Sequence, residues 1–182
     1  MVKVAIHQPA FIPWFPFFYK MAQSDFFVLL EHCQFEKNGY QNRCEVRGKW
    51  WTLPVKSGLV PLKDKECVNG QTLVGVNYLW IMAIAQTLGI PSTKVVFDFE
   101  TEKKGTERLI EICKTYVATH YLTNPQAQEK YLDRSAFERE RIEILACHPP
   151  KQYQRPIFEM FEAYGIEGTA KLLKKDLPGC KI

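Results

Sequence analysis

The first twenty residues constrain the fold of this chain more than any other stretch. Val4, Ala5 and Ile6 open an apolar strand, and His7, Gln8 and Pro9 then place polar or rigid residues where that strand must end. Pro13 follows at a position suited to the first turn of a helix, where a missing N–H costs nothing. Trp14, Phe17, Phe18, Met21 and Ala22 recur at the spacing of one apolar helical face. A strand–loop–helix unit of this kind presents its polar groups at the carboxyl end of the strand. Open α/β sheets bind ligands at that edge, beside helix N-termini that favour anions.

The next segment repeats the arrangement. Asp25 precedes Phe26–Leu30, an apolar run without alternation, which is the pattern of a central strand covered on both faces. It ends in Glu31, His32, Gln34, Glu36, Lys37 and Asn38. A β-α-β crossover brings two such strand ends to one edge of a sheet. Further strand patterns at 94–99, 120–122 and 142–146 alternate with helical ones at 74–88, 106–117 and 126–139, and short helices at 157–164 and 169–175 close the chain. The alternation predicts an α/β fold: a single domain over 1–182 with a mostly parallel, Rossmann-like sheet and helices on both faces. Two alternating segments around Gly48-Lys49 predict an inserted β-hairpin, about 42–55, with a type II′ turn. Ser57 to Gly70 reads as an irregular, mobile loop. On the helix over 106–117, Leu109, Ile110, Cys113, Tyr116 and Val117 are expected to face inward while Glu107, Arg108, Glu111 and Lys114 face out.

Several function classes are disfavoured. With 182 residues, 46% of them hydrophobic, the chain can bury a core without staples. No apolar run is long enough to cross a bilayer, and the N-terminus lacks the basic region and cleavage site of a signal peptide, so a cytoplasmic protein is expected. A net charge of +4 is mild, and basic residues are interspersed with acids, so no specific nucleic-acid partner is expected. A small anionic substrate is compatible with it. The six cysteines lie far apart with no CxxC pair, which favours reduced, mostly buried thiols over a zinc site, and no metal ligands are assigned. GxxxxGK[ST], GxGxxG and GxSxG are all absent, so the sequence specifies no cofactor. It does not specify an oligomeric state either.

The candidate site residues follow from placement. His7 titrates near neutral pH and suits a general acid/base, with Gln8 beside it to orient the ring or a substrate. Its alternative is a ring buried and hydrogen-bonded to backbone. Asn42 and Arg43 could clamp a carboxylate or phosphate through the planar fork of the guanidinium. By strand alternation, however, Arg43 shares a face with Glu45 and Arg47 and could be a surface charge. Lys20, at the border of the first helix's apolar face, either snorkels to solvent or adds positive charge to the site. Lys37 and Arg108 join the site only if their turn and helix border it. Trp50 and Trp51 point to opposite sides of their strand, so at most one is core and the other could cap a ligand.

These residues together form a recognisable series. His7-Gln8-Pro9, Pro13-Trp14, Phe17-Phe18, Lys20, Asp25-Phe26-Phe27-Val28, Gln34-Phe35, Lys37 and Asn42-Arg43 resemble the WbqC-like protein family. The series continues through Trp51–Val55, Gly105–Leu109, Cys113-Lys114, Tyr121-Leu122, Tyr131–Asp133 and Tyr153-Gln154, covering about residues 3–155. The family occurs among bacterial genes for O-antigen and other surface polysaccharides. The resemblance therefore implies a cytosolic group transferase acting on a nucleotide-linked or amino sugar. It casts His7, Lys20 and Lys37 as catalytic and Gln8, Asn42, Arg43 and Arg108 as substrate-binding. The alternative is a non-catalytic carbohydrate- or nucleotide-binding accessory protein. Three positions depart from the family pattern. Glu31-His32 stands where two acidic residues are usual, Pro16 replaces a glycine, and Thr123–Ala127 replaces a Ser/Gly-rich loop.

Overall fold

The computed structural model describes residues 1–125 and 132–175. Five parallel strands form its sheet: β1 (Lys3–His7), β2 (Phe26–Leu29), β5 (Val95–Phe97), β6 (His120–Thr123) and β7 (Glu143–Ala146), in the spatial order β5-β2-β1-β6-β7. This is the α/β, Rossmann-like architecture that the strand–helix alternation predicts. The chain moves outward from β1 to β2 and β5, then returns to lay β6 on its other side. Ala5, Phe27, Leu29 and Leu122 belong to one core cluster, with α1 (Phe15–Gln23), α2 (Leu73–Thr87) and α5 (Ile157–Leu173). Val4, Ile6, Val28 and Tyr121 belong to the other, with α3 (Gly105–Thr115) and α4 (Arg134–Arg139). Consecutive residues thus alternate between two buried faces, which is why these strands read as unbroken apolar runs.

Local details differ from the sequence reading. α1 begins at Phe15, so Pro16 is its first-turn proline and Pro13 lies in the preceding loop. The hairpin pairs β3 (Arg43–Val46) with β4 (Lys49–Thr52) in a separate antiparallel sheet. Its turn residues are Arg47 and Gly48, at φ 51° and 71°. Two positive φ values define a type I′ turn, not the II′ turn expected at Gly48-Lys49. Arg47 is held there by α5, because its backbone N–H donates to Glu159 Oε1 at 2.9 Å and its guanidinium pairs with Glu162. Trp50 and Trp51 are both about half exposed, so neither is core.

The segment expected as a mobile loop is irregular but anchored. Leu62 and Cys67 are buried with Phe35, Leu73 and Val74 in a satellite core, and isolated bridges join Gln34 to Pro61, Val55 to Cys67 and Glu66 to Thr72. α5 breaks at Gly165 (φ 67°), which separates the two short helices read from the sequence. The expected helix over 126–139 is seen as Arg134–Arg139, capped by the Asp133 carboxylate on the Ala136 N–H at 3.2 Å; residues 126–131 lie outside the described residues. Cys33, Cys44, Cys67 and Cys113 are free thiols, all but Cys33 buried; Cys147 is buried as well, and Cys180 is outside the described residues. No described helix is long and apolar enough to cross a membrane.

Asn77, fully buried on α2, ties the carboxyl edge together. Its Nδ2 donates to Gln41 O at 2.7 Å and Pro9 O at 3.2 Å, joining the loop after β1 to the segment before β3. Asn77→Ala leaves both carbonyls without a donor and should destabilise the fold by about 1–3 kcal/mol. The check is the denaturant midpoint; an unchanged midpoint would show the two loops to be held by other means.

Candidate functional site

All of the sequence-derived residues except Arg108 fall into two groups. The first lies where the strand order reverses, between β1 and β6. His7 ends β1 on the face covered by α1. Its ring stands edge-on to Phe17 at a centroid distance of 4.8 Å and stacks on Phe27 at 6.5 Å. Nδ1 lies 2.8 Å from the backbone carbonyl of Gln8, the geometry of an Nδ1–H donor. That leaves Nε2 with the lone pair. The ring is therefore oriented by the Gln8 backbone, not by the side chain that the sequence suggested.

Lys20 does not snorkel. It is only 6% exposed, and no described carboxylate pairs with its ammonium. Burial lowers its pKa, opposed by nearby Cys147. The same burial, with the Lys20 charge second, lowers the His7 pKa to about 4 against the raising effect of the Gln8 carbonyl. His148 is also lowered, first by burial, while a hydrogen bond with Gln154 acts upward and Lys20 downward. Cys147 is fully buried just beyond β7, and its amide donates to Thr123 O at 2.8 Å. The ends of β1, β6 and β7 and one lysine of α1 thus enclose a nest of two imidazoles, an amine and a thiol.

The second group is a cleft of about 490 Å³ beside the hairpin, lined by Lys37, Asn42, Arg43, Lys56 and Lys65 among others. Asn42 is buried, and its Nδ2 donates to Leu53 O at 3.0 Å. Arg43 lies 4.2 Å above the ring of Trp50, its diagonal neighbour across the hairpin, and its buried Nε has no hydrogen-bond partner. It is therefore not the freely solvated charge that alternation allowed. Lys37 is exposed at the rim. Gln41 connects the two groups: its Nε2 donates to Gln8 Oε1 at 3.1 Å and Gln34 O at 3.3 Å, while its Oε1 accepts from Glu36 N at 2.7 Å.

Arg108 belongs to neither group. The expected outward position is replaced by an inward one, where its guanidinium pairs with Asp98 at the end of β5. Asp98 Oδ1 also accepts from Glu31 N (2.9 Å), His32 N (3.3 Å) and His32 Nδ1 (3.0 Å). This buried clamp closes the ends of β2 and β5. The sequence reading missed Asp98, Cys147 and His148, all of which follow strands and could have been found by extending the strand-end rule to β5 and β7. It also missed Lys65, for which no local signal existed. Among the described residues, no group of three or more His, Cys, Asp or Glu side chains is disposed to hold a metal ion.

Comparison with known proteins agrees with the resemblance. A profile of the WbqC-like protein family matches residues 8–71 and 66–164, which is most of the chain, so the chain belongs to that family. It is 26% identical over 189 aligned positions to an uncharacterized protein of Mycobacterium tuberculosis, spanning 79% of this chain and 81% of that one. No solved structure matches.

Two predictions follow from the electrostatics of the nest. A buried amine without a counter-charge opposes folding, so Lys20→Met, which keeps the volume and removes the charge, should stabilise the unliganded protein by on the order of 1 kcal/mol. A lowered melting temperature would instead show that Lys20 has a structural partner. For His7, the unfolded chain binds a proton near pH 6.5 and the folded one only near pH 4. Stability is therefore retained above pH 6.5 and lost as the pH falls towards 4, by up to about 3 kcal/mol. His7→Gln should flatten that part of the stability profile. A wild-type slope in the variant would assign the loss to other groups.

Proposed function

We propose that this member of the WbqC-like protein family is a cytosolic group transferase acting on a nucleotide-linked or amino sugar in surface-polysaccharide biosynthesis. The observation that carries the reading is Lys20: a buried amine with no carboxylate partner among the described residues, beside the oriented imidazole of His7, at the point where the sheet's strand order reverses. Open α/β sheets place ligands at such a point. A charge left without a partner in the free protein is one that a ligand can complete.

In this reading His7 Nε2 receives the proton of the sugar amine or hydroxyl as that group bonds to the transferred group, whose bond to the rest of the donor breaks, the leaving group taking the electron pair. The Gln8 carbonyl holds Nδ1–H and so fixes the tautomer. With a pKa of about 4, the ring is neutral throughout the physiological range and is a mild base. Lys20 stabilises the negative charge that develops on the donor's leaving group as that bond breaks, a role in which one preorganised donor contributes about 3–4 kcal/mol. Asn42, Arg43 and Lys37 hold the anionic part of the donor in the adjoining cleft. Gln8 acts through Gln41, coupling the loop that orients His7 to that cleft.

The test is turnover with nucleotide sugars, amino sugars and acyl donors. His7→Ala should bind ligand as the wild type does and lose about 10²- to 10⁴-fold in product formation. The acid limb of kcat/KM should lie near pH 4, since protonating His7 removes the base. Unchanged turnover in His7→Ala would remove His7 from the reaction, and ligand binding without turnover by the wild type would leave a binding protein.

A further inference from the structure

The cleft beside the hairpin has a charge balance that the protein alone does not complete. Its lining contains four cations, Lys37, Arg43, Lys56 and Lys65, and no Asp or Glu among the described residues. Lys56 is satisfied on its outer side by Glu66. Lys65 is not satisfied in this way. It is 2% exposed, its ammonium donates to Gly58 O at 2.7 Å and sits 4.4 Å above the ring of Phe35, and no described carboxylate pairs with it. A carbonyl and a ring face solvate an ammonium in part but leave its charge uncompensated. Arg43 adds a second incomplete cation, with its guanidinium carbon 4.2 Å from the Trp50 ring centroid and Nε buried without an acceptor among the described residues. Lys37 adds a third, mobile by virtue of its length, at the rim.

Three cations that line one cavity without a carboxylate partner among the described residues, one of them buried, fit a polyanion better than a single carboxylate. The rest of the wall describes the ligand's other half. Phe35, Leu53, Pro54 and Val55 give the cleft an apolar side. Its volume of about 490 Å³ lies within the ~300–1,000 Å³ typical of pockets that bury a drug-sized ligand, much more than a bare phosphate fills. We infer that this cleft binds the diphosphate of a nucleoside diphosphate, with Lys65 and Arg43 on the phosphates, Lys37 closing over them, and the nucleoside against the apolar wall. The inference rests on the transferase reading for its purpose but not for its evidence, since the charge balance stands without any reaction.

Calorimetric titration of the full chain with UDP, dTDP, ADP, UMP, uridine and inorganic pyrophosphate tests it. At least one nucleoside diphosphate should bind, with its monophosphate weaker and the nucleoside undetectable at about 1 mM. Arg43→Lys should weaken that binding about 10- to 100-fold, the loss expected when a planar charge-assisted fork is removed. Lys37→Ala, at an exposed position with little bearing on folding, should weaken it less, whereas Arg47→Lys, across the turn and paired with Glu162, should leave it unchanged. Pyrophosphate binding as tightly as every nucleotide would reassign the cleft to a diphosphate on some other body, such as a sugar. Full overturn would be uridine binding as well as UDP, wild-type affinity in both Arg43→Lys and Lys37→Ala, or no diphosphate binding at all. The two readings fail separately. Nucleotide binding without transfer removes the enzyme and keeps the cleft, and transfer unaffected by Arg43→Lys does the reverse.

Discussion

β1 has hydrogen-bonded neighbours on both sides and packed helices over both faces, and the site depends on that double enclosure. Val4, Ala5 and Ile6 can be buried only because β2 and β6 satisfy their backbone groups. The chain leaves β1 towards β2 and later returns to β6 on the opposite side, so the strand order reverses at β1, the position at which open α/β sheets bind ligands. His7 is the next residue along the same strand. The burial that stabilises Val4, Ala5 and Ile6 also desolvates the imidazole against Phe17 and Phe27. Fold stability and the low His7 pKa therefore have a common physical cause.

The edge of a parallel sheet must also resolve the polar groups of the loops that leave it. Three side chains do so here, each serving several backbone groups at once. Asn77 joins the segments after β1 and before β3, Gln41 ties Gln8 to the loop after β2, and Asp98 gathers the amides of Glu31 and His32. Each brace is deep, and each lies between elements distant in sequence. The result is a rigid rim on which the hairpin and the segment from 53 to 72 are mounted. Gln8 illustrates the economy of this arrangement: its carbonyl fixes the His7 tautomer while its side chain receives the Gln41 amide.

Strands were legible because burial on two faces leaves an unambiguous mark, a run of apolar residues bounded by polar ones. The position of His7 was legible for a related reason, since it is the polar residue at the end of such a run, whereas Asn42 and Arg43 open the hairpin strand and were singled out by the chemistry of the guanidinium and by the family pattern. The hairpin turn was misread by one residue because periodicity fixes strand faces, whereas the turn depends on register; α5, far along the chain, supplies the acceptors that hold Arg47 at positive φ. Arg108 was placed outward because helical periodicity describes amphipathic packing and carries no information about a buried carboxylate on another element. Lys65 was invisible for the most basic reason. Its burial is produced by a satellite core assembled from Phe35, Leu62, Cys67, Leu73 and Val74, none of which forms a periodic pattern with it.

The buried charges separate into two kinds. Asp98 is surrounded by Arg108, His32 and two amides, so its burial is compensated within the protein and acts as a latch. Lys20 and Lys65 are buried to a similar degree, yet neither has a described carboxylate. A fold that can enclose one charge so completely is not short of means to compensate the others. Replacing either lysine by an apolar side chain would remove a desolvation penalty, so folding alone gives no reason for an amine at either position. The proposed function supplies one, a ligand-bound state in which negative charge reaches both places. In that proposal a permanent anion in the cleft and a charge developing beside His7 belong to one bound molecule, and Gln41, bonded to Gln8 and adjacent in sequence to Asn42, lies between them.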